Sequence, residues 1–354
     1  MIKTGAKVQN IAFFNWLMRT SFKYRSEKLK IEKFGLKFEN PVGLSAGIDK
    51  DVKIYRLLES VGFGFAECGS VTLDSYQGNE QPWYTRLPKT KSIVVNSGLR
   101  SEGAKRIIER TNKYSESLTS IFPLNISIAK TNSPKSSTQE TGIKDYVDSL
   151  KLWEKQGNAK LYTINISCPN TFGGEPFTDP VSLDNLLTEI DKLNIKKPIF
   201  VKMPIDKTWK AADNLLAVCS KHNVQGITLG NLFKDRKKVK LYDKFDDKIK
   251  GNFSGKPCWD ASNELLARTY KSYGDRFVLS GVGGVFTPED AYLKIRLGAT
   301  FVQIATGVIF EGPMLIGQIN RKLVKMLEKD GYNHISEAVG VDNAKFLKKG
   351  LGEV

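Results

Sequence analysis

Eight short apolar runs, each followed by a polar or amphipathic stretch, constrain this chain more than any other feature. They lie near Val42–Ala46, Phe65–Val71, Leu124–Ile128, Tyr162–Ser167, Ile199–Met203, Gly226–Leu229, Phe277–Gly281 and Phe301–Ala305. Rich in Val, Ile and Phe, they read as strands buried on both faces of a parallel sheet. Val52–Ser60, Gly142–Gln156, Leu183–Leu193, Ala211–His222, Asn263–Tyr273 and Glu289–Leu297 read as the intervening helices. Such alternation predicts an α/β fold. A count of eight favours a closed (β/α)8 TIM barrel over an open, doubly wound sheet.

Two stretches interrupt the alternation, after strands two and six. Thr72–Phe122 contains Gly78, Pro82, Pro88 and Gly98, and Leu232–Pro257 is Lys-rich with few apolar residues. Loops this long in a compact domain commonly serve as lids or binding loops. Residues 1–34 form a helical extension ahead of a barrel domain of residues 35–354. Within it, Ile11-Ala-Phe-Phe-Asn-Trp-Leu-Met18 is apolar and flanked by Arg19, Lys23 and Arg25. Such a helix fits a membrane surface or a plug at the bottom of the barrel, and the plug is the reading preferred here.

The net charge is +16, but the excess is spread out: residues 1–33 hold eight Lys/Arg against two Glu, and residues 234–256 nine against four Asp. No zinc-finger spacing, RNP motif or helix-turn-helix signature accompanies it, so no nucleic-acid partner is expected. No run approaches the roughly 18 apolar residues of a spanning helix. The start of the chain lacks an apolar signal core, which makes the cytosol the expected compartment. With only His222 and His334, His-rich metal sites and Ser-His-Asp chemistry are disfavoured, and no metal is expected. The four cysteines, Cys68, Cys168, Cys219 and Cys258, contain no C-x-x-C pair.

Catalytic groups of such barrels come from the carboxyl ends of the strands. Here those ends read Ala46-Gly-Ile-Asp-Lys50, Gly69-Ser-Val-Thr72, Asn125, Asn165-Ile-Ser-Cys-Pro-Asn170, Lys202, Thr228-Leu-Gly-Asn231, Gly281-Val-Gly-Gly284 and Ala305-Thr-Gly307. Glycines on the last two strands let backbone N–H groups approach a phosphate. Asn side chains pair donors with acceptors, which suits a planar amide or imide. A lysine holds an anionic ring or a carboxylate. Cys168 is a candidate base or nucleophile where nearby Lys charge favours its thiolate, although a lone Cys after a strand is more often a small buried hydrophobe. Pattern alone stops at a phosphate-bearing cofactor and a polar, planar substrate.

Taken in order, Asn40-Pro-Val-Gly-Leu-Ser-Ala-Gly-Ile-Asp-Lys50, Gly78-Asn-Glu-Gln-Pro82, Arg86-Leu-Pro88, Asn165-Ile-Ser-Cys-Pro-Asn170, Ser254-Gly-Lys-Pro257, Gly281-Val-Gly-Gly284, Val302-Gln-Ile-Ala-Thr-Gly307 and Gly312-Pro313 resemble the dihydroorotate dehydrogenase family. The likeness spans roughly residues 35–342. It implies a TIM barrel carrying FMN and the oxidation of (S)-dihydroorotate to orotate in pyrimidine (UMP) biosynthesis. A base takes the C5 proton, and a hydride passes from C6 to flavin N5. By motif position, Cys168 is that base. Lys50, Asn96, Asn125, Asn165, Asn170 and Asn231 would hold the substrate. Ala46, Gly47, Lys50, Ser70, Asn125, Asn165, Lys202, Thr228, Ser254, Gly255, Gly283, Gly284, Ala305 and Thr306 would line FMN.

The likeness mixes two classes. The extension, Arg86-Leu-Pro88 and the Ser254–Gly284 region are similar to membrane-associated class 2 enzymes, which use a Ser base and a quinone. Cys168 and the loop Asn96-Ser-Gly-Leu99 are similar to soluble class 1 enzymes, and Ala305 stands where class 2 enzymes usually place Tyr. A quinone reached at the inner face of the cell membrane is the leading acceptor. Fumarate or a partner flavoprotein is the runner-up. An FMN barrel acting on another pyrimidine or on tRNA uridine stays open as the alternative activity. A thiol base ordinarily titrates near about 8.5, so turnover should rise with pH.

Overall fold

The computed structural model describes residues 2–115, 122–168 and 174–350. Its centre is a closed barrel of eight strands: β1 (Val42–Leu44), β2 (Phe65–Val71), β3 (Leu124–Ile128), β4 (Leu161–Asn165), β5 (Ile199–Met203), β6 (Gly226–Leu229), β7 (Val278–Val282) and β8 (Phe301–Ile304). Every neighbouring pair is parallel and β8 pairs with β1, so the sheet closes without an edge. The strands fall where the apolar runs predict them. Helices start where the chain supplies caps: Thr138 and Thr287 each open a reciprocal capping box, the latter with Pro288 at the first helical position.

The bottom of the barrel is closed by a two-stranded antiparallel ribbon, Ile31–Lys33 with Leu36–Phe38. Its two-residue turn is Phe34-Gly35, both at positive φ (58° and 69°), as a tight hairpin requires. The ribbon carries Phe38 against Phe65 and Phe301 (ring centroids 5.8 and 4.7 Å), and Phe34 against Phe200 (6.0 Å). All three partners lie at or near the start of their strands. These rings are the plug, which corrects the expectation that the extension helix would fill this place.

The extension instead forms two helices on the barrel's flank, α1 (Ile2–Val8) and α2 (Ala12–Phe22). They pack on the helix Tyr55–Ser60. Gln9 Nε2 donates to Lys53 O at 2.6 Å, and Arg19 and Lys23 both reach Glu59, at 2.7 and 3.0 Å. No residue of α2 is fully buried, and Phe13 and Trp16 are 69% and 59% exposed. No helix among the described residues is long and apolar enough to cross a membrane.

The two insertions join each other. Tyr84–Leu87 and Ser92–Val95 form a hairpin, and Asn252–Gly255 pairs with its second strand, giving a three-stranded antiparallel sheet. A small core of Leu87, Val94 and Phe253 lies beneath Val239, Leu241, Phe245 and Ile249. Arg236 ties the Lys-rich segment together by donating to the carbonyls of Asp247, Ile249 and Gly251. Asp243 accepts from Thr90 N and Oγ1. Parts of both expected loops thus meet in one sheet, whose Ile93, Val95 and Ser254 face the barrel mouth.

Candidate active site

At the carboxyl end of the barrel, β7 and β8 run into glycine turns. Gly283 and Gly284 have φ of 110° and 74°. A Cβ on Gly284 would lie 2.6 Å from Trp259 Cβ and 2.8 Å from its Cα, so only glycine fits. These turns, with Ala46, Gly255, Ala305 and Thr306, line a cavity of about 490 Å³. The hydroxyls of Ser254 and Thr306 stand 2.7 Å apart beside it. Glycine backbone with paired hydroxyls is suited to a phosphate.

A second cavity continues from the first through Ala46, Lys202, Asn231, Leu232, Ser254, Ala305 and Thr306, which line both. It adds the polar ends of β1, β2 and β4: Gly47, Lys50, Ser70, Asn165 and Cys168. Lys50 Nζ donates to Ser97 Oγ at 2.7 Å. Burial pushes Lys50 down to about 8, against the opposing electrostatic pull of the nearby Cys168. Asn165 Nδ2 donates to Ser70 Oγ at 2.7 Å, which itself pairs with Ser127 Oγ at 2.8 Å. Asn231 Nδ2 donates to Ser167 O and Oγ (2.6 and 2.7 Å), so β6 braces the loop that carries Cys168. Lys202 lies across both cavities with Nζ 3.6 Å from the buried carboxylate of Glu67.

The thiols differ in surroundings. Burial pushes Cys219 and Cys258 up to about 12, and Cys68 well above its ordinary value. Cys258 backs the inner cavity, but its Sγ faces the carbonyls of Asn231 and Phe253. Cys168 is partly buried and sits at the polar centre, on the same cavity as Lys50.

A third, apolar cavity opens outward, sharing Gly47, Ile48, Lys50, Tyr84, Ile93 and Ile309 with the second. Its outer wall is Ile2, Ala6 and Lys7 of α1, facing Trp83, Arg86 and Arg100. The three cavities form one path from the glycine turns to the extension.

A family model described as dihydroorotate dehydrogenase matches residues 28–327. The chain belongs to the dihydroorotate dehydrogenase family. Its relatives include dihydroorotate dehydrogenase (quinone) of Nostoc punctiforme, 34% identical over 94% of this chain and 92% of that one. The protein of that name from Trichormus variabilis is 35% identical over 96% and 89%. In fold, the chain is similar to ligand-free dihydroorotate dehydrogenase of Eimeria tenella, with a TM-score of 0.82 at 24% identity over 96% of this chain and 98% of that one.

Of the described residues named from sequence, most meet along this path, and three do not line it. Asn125 points into the barrel interior, donating to Thr163 Oγ1 at 2.9 Å and Glu67 Oε2 at 3.4 Å, among the residues above the bottom plug. Thr228 is also buried within the barrel, its Oγ1 without a hydrogen-bond partner among the described residues. Asn96 is buried behind the hairpin, accepting from Asn79 Nδ2 at 3.3 Å. Asn170 lies outside the described residues. Sequence reasoning missed Ser97, the partner of Lys50, although the loop Asn96-Ser-Gly-Leu99 contains it. It also missed Glu67, an acid in an apolar strand and hence the signal of a buried polar cluster. Gln303 and Thr163 both donate to Glu67 Oε2, at 2.8 and 3.2 Å.

Proposed function

We propose that this chain oxidises dihydroorotate to orotate with FMN held along the two inner cavities, and that a quinone reached through the outer cavity takes the electrons. The observation that carries this reading is the continuous path from a phosphate-suited glycine turn, past a thiol and a lysine, to an apolar chamber walled by α1. FMN fits the residues present: glycine backbone, Ser254 and Thr306 for its phosphate, and Lys202 for negative charge on its ring. When bound, FMN would supply the hydride acceptor for this oxidation.

The rest is done by side chains. Lys50, held by Ser97, binds the carboxylate of the substrate. Asn165 and Asn231 present amides to the pyrimidine ring, and each is fixed in orientation by the hydroxyls it contacts. Cys168 takes the C5 proton as its thiolate, which the neighbouring Lys50 cation favours. Asn125 and Thr228 act from beneath, by shaping the polar barrel interior under Lys202.

The apolar chamber, about 1,880 Å³ including its open side, suits a quinone ring and tail better than a small dicarboxylate. The exposed aromatic residues of α2, the helix that follows α1 in the chain, support a membrane surface as the source of such an acceptor. Fumarate is the second reading, favoured by Cys168 and the Asn96–Leu99 loop. The deciding test is the visible spectrum of the purified protein before and after anaerobic dihydroorotate. A flavin that bleaches supports cofactor and substrate together. One that stays oxidised refutes the substrate, and a preparation that neither carries nor takes up FMN refutes the cofactor. Steady-state turnover with quinone against fumarate then separates the acceptors.

A further inference from the structure

We infer that Lys294 is a positioning residue for the cofactor phosphate: buried behind the Gly283–Gly284 turn, it fixes that turn through Ser262 and supplies positive charge from the dry side. The inference rests on the reading of this turn as the FMN phosphate site. Lys294, on the helix Pro288–Arg296, is 0% exposed. Its Nζ donates to Ser262 Oγ at 2.9 Å and to Asn263 Oδ1 at 2.8 Å. The single Ser262 hydroxyl proton is shared between Gly283 O at 3.3 Å and the O of Trp259 at 3.2 Å, the residue on which Gly284 packs, so the hydroxyl connects the ammonium to the turn and to its backing.

The packing is built around this side chain. A Cβ on Gly281 would lie 3.1 Å from Lys294 Cδ, so β7 leaves room for the lysine stem. A Cβ on Gly283 would lie 3.0 Å from Ser262 Oγ, so the turn rests directly on the link. Both acceptors of Lys294 are neutral. The carboxylate on its own helix, Asp290, is engaged by Lys256, by Trp259 Nε1 and by the N–H groups of Phe286 and Thr287. A buried cation with only neutral acceptors is costly, and burial pushes Lys294 down to about 7. An anion on the cavity face of the turn supplies the missing counter-charge. Lys294 touches neither the cavity nor the reacting atoms, so its effect is on the phosphate end alone.

The test is the ratio of FMN to riboflavin affinity, because riboflavin lacks only the phosphate. The full chain, freed of flavin by dialysis, is titrated with each ligand while protein fluorescence is followed, and folding is checked by circular dichroism. Lys294→Met should lower the FMN-to-riboflavin affinity ratio by about tenfold, with riboflavin binding retained. Ser262→Ala breaks the link and keeps the charge, so it should lower the ratio by about threefold, and it serves where Lys294→Met does not fold. A merely structural lysine would weaken both flavins equally. A wild-type ratio in either folded variant therefore overturns the inference. A wild-type protein that binds riboflavin as well as FMN overturns the phosphate site itself, and this inference with it.

Discussion

If Lys50 binds the substrate carboxylate, the affinity of the oxidised enzyme for orotate must follow the titration of that lysine. Burial pushes Lys50 down to about 8 from its ordinary 10.5. Only the cation attracts a carboxylate, so the apparent dissociation constant scales as one plus the ratio of neutral to charged lysine. That factor is about 1.1 at pH 7, about 2 at pH 8 and about 11 at pH 9, a tenfold loss across the two units, or ~1.4 kcal/mol. The assay is an anaerobic orotate titration of the oxidised enzyme, read from the flavin spectrum between pH 6.5 and 9. Lys50→Met should hold the weak, high-pH affinity throughout and show no slope. A flat wild-type profile, or an unchanged slope in Lys50→Met, would refute the assignment.

The same lysine makes a stability prediction of definite sign. Its folded value lies below its unfolded value, so the folded chain disfavours the cation. That cost is fully present below pH 8 and is relieved as pH rises toward 10.5. Ligand-free Lys50→Met should therefore be more stable than wild type at pH 7, by up to roughly 3 kcal/mol in denaturant unfolding. The gain should shrink when orotate is added at a level that saturates the wild type more fully than the variant.

Three further outcomes are expected. Cys168→Ser should keep its FMN but reduce it with dihydroorotate at least about 100-fold more slowly at pH 7 in stopped flow, and unchanged flavin reduction would remove Cys168 as the base. Ala6→Trp, which fills the chamber from α1, should raise KM for quinone about tenfold while leaving anaerobic flavin reduction untouched. A double change of Phe13→Glu and Trp16→Glu on the exposed face of α2 should lower partitioning onto anionic lipid vesicles by about 100-fold in a flotation assay, and equal partitioning would mean α2 is not the membrane contact.

What could be read from the chain divides along physical lines. The barrel strands were legible because a parallel sheet buried on both faces demands short unbroken apolar runs, here set between amphipathic helical stretches. Most of the mouth was legible for a related reason: once strand ends are known, the residues just beyond them must converge. The depth of a residue along its strand is a different quantity. Asn125 pairs in register with Leu161, at the start of β4, whereas Asn165 stands at its end. Polarity in a buried strand therefore marks the barrel interior and does not distinguish floor from mouth.

The extension and the insertions were legible in place, but not what they pack against, because their partners are remote. Nothing local tells Asn252–Gly255 that it will pair with Ser92–Val95, and only its alternating burial suits a strand with one covered face. The apolar face of α2 carries the same composition whether it plugs a barrel or lies on its flank. The deciding fact sits in another segment: Phe34 and Phe38 on a two-residue hairpin already fill the bottom, so the helix aromatics have no core left to enter. The aromatic face of α2 stays exposed, and the apolar chamber opens between α1 and the hairpin. That is why the acceptor, the property least determined by the motifs, is best argued from the two elements whose sequences said least.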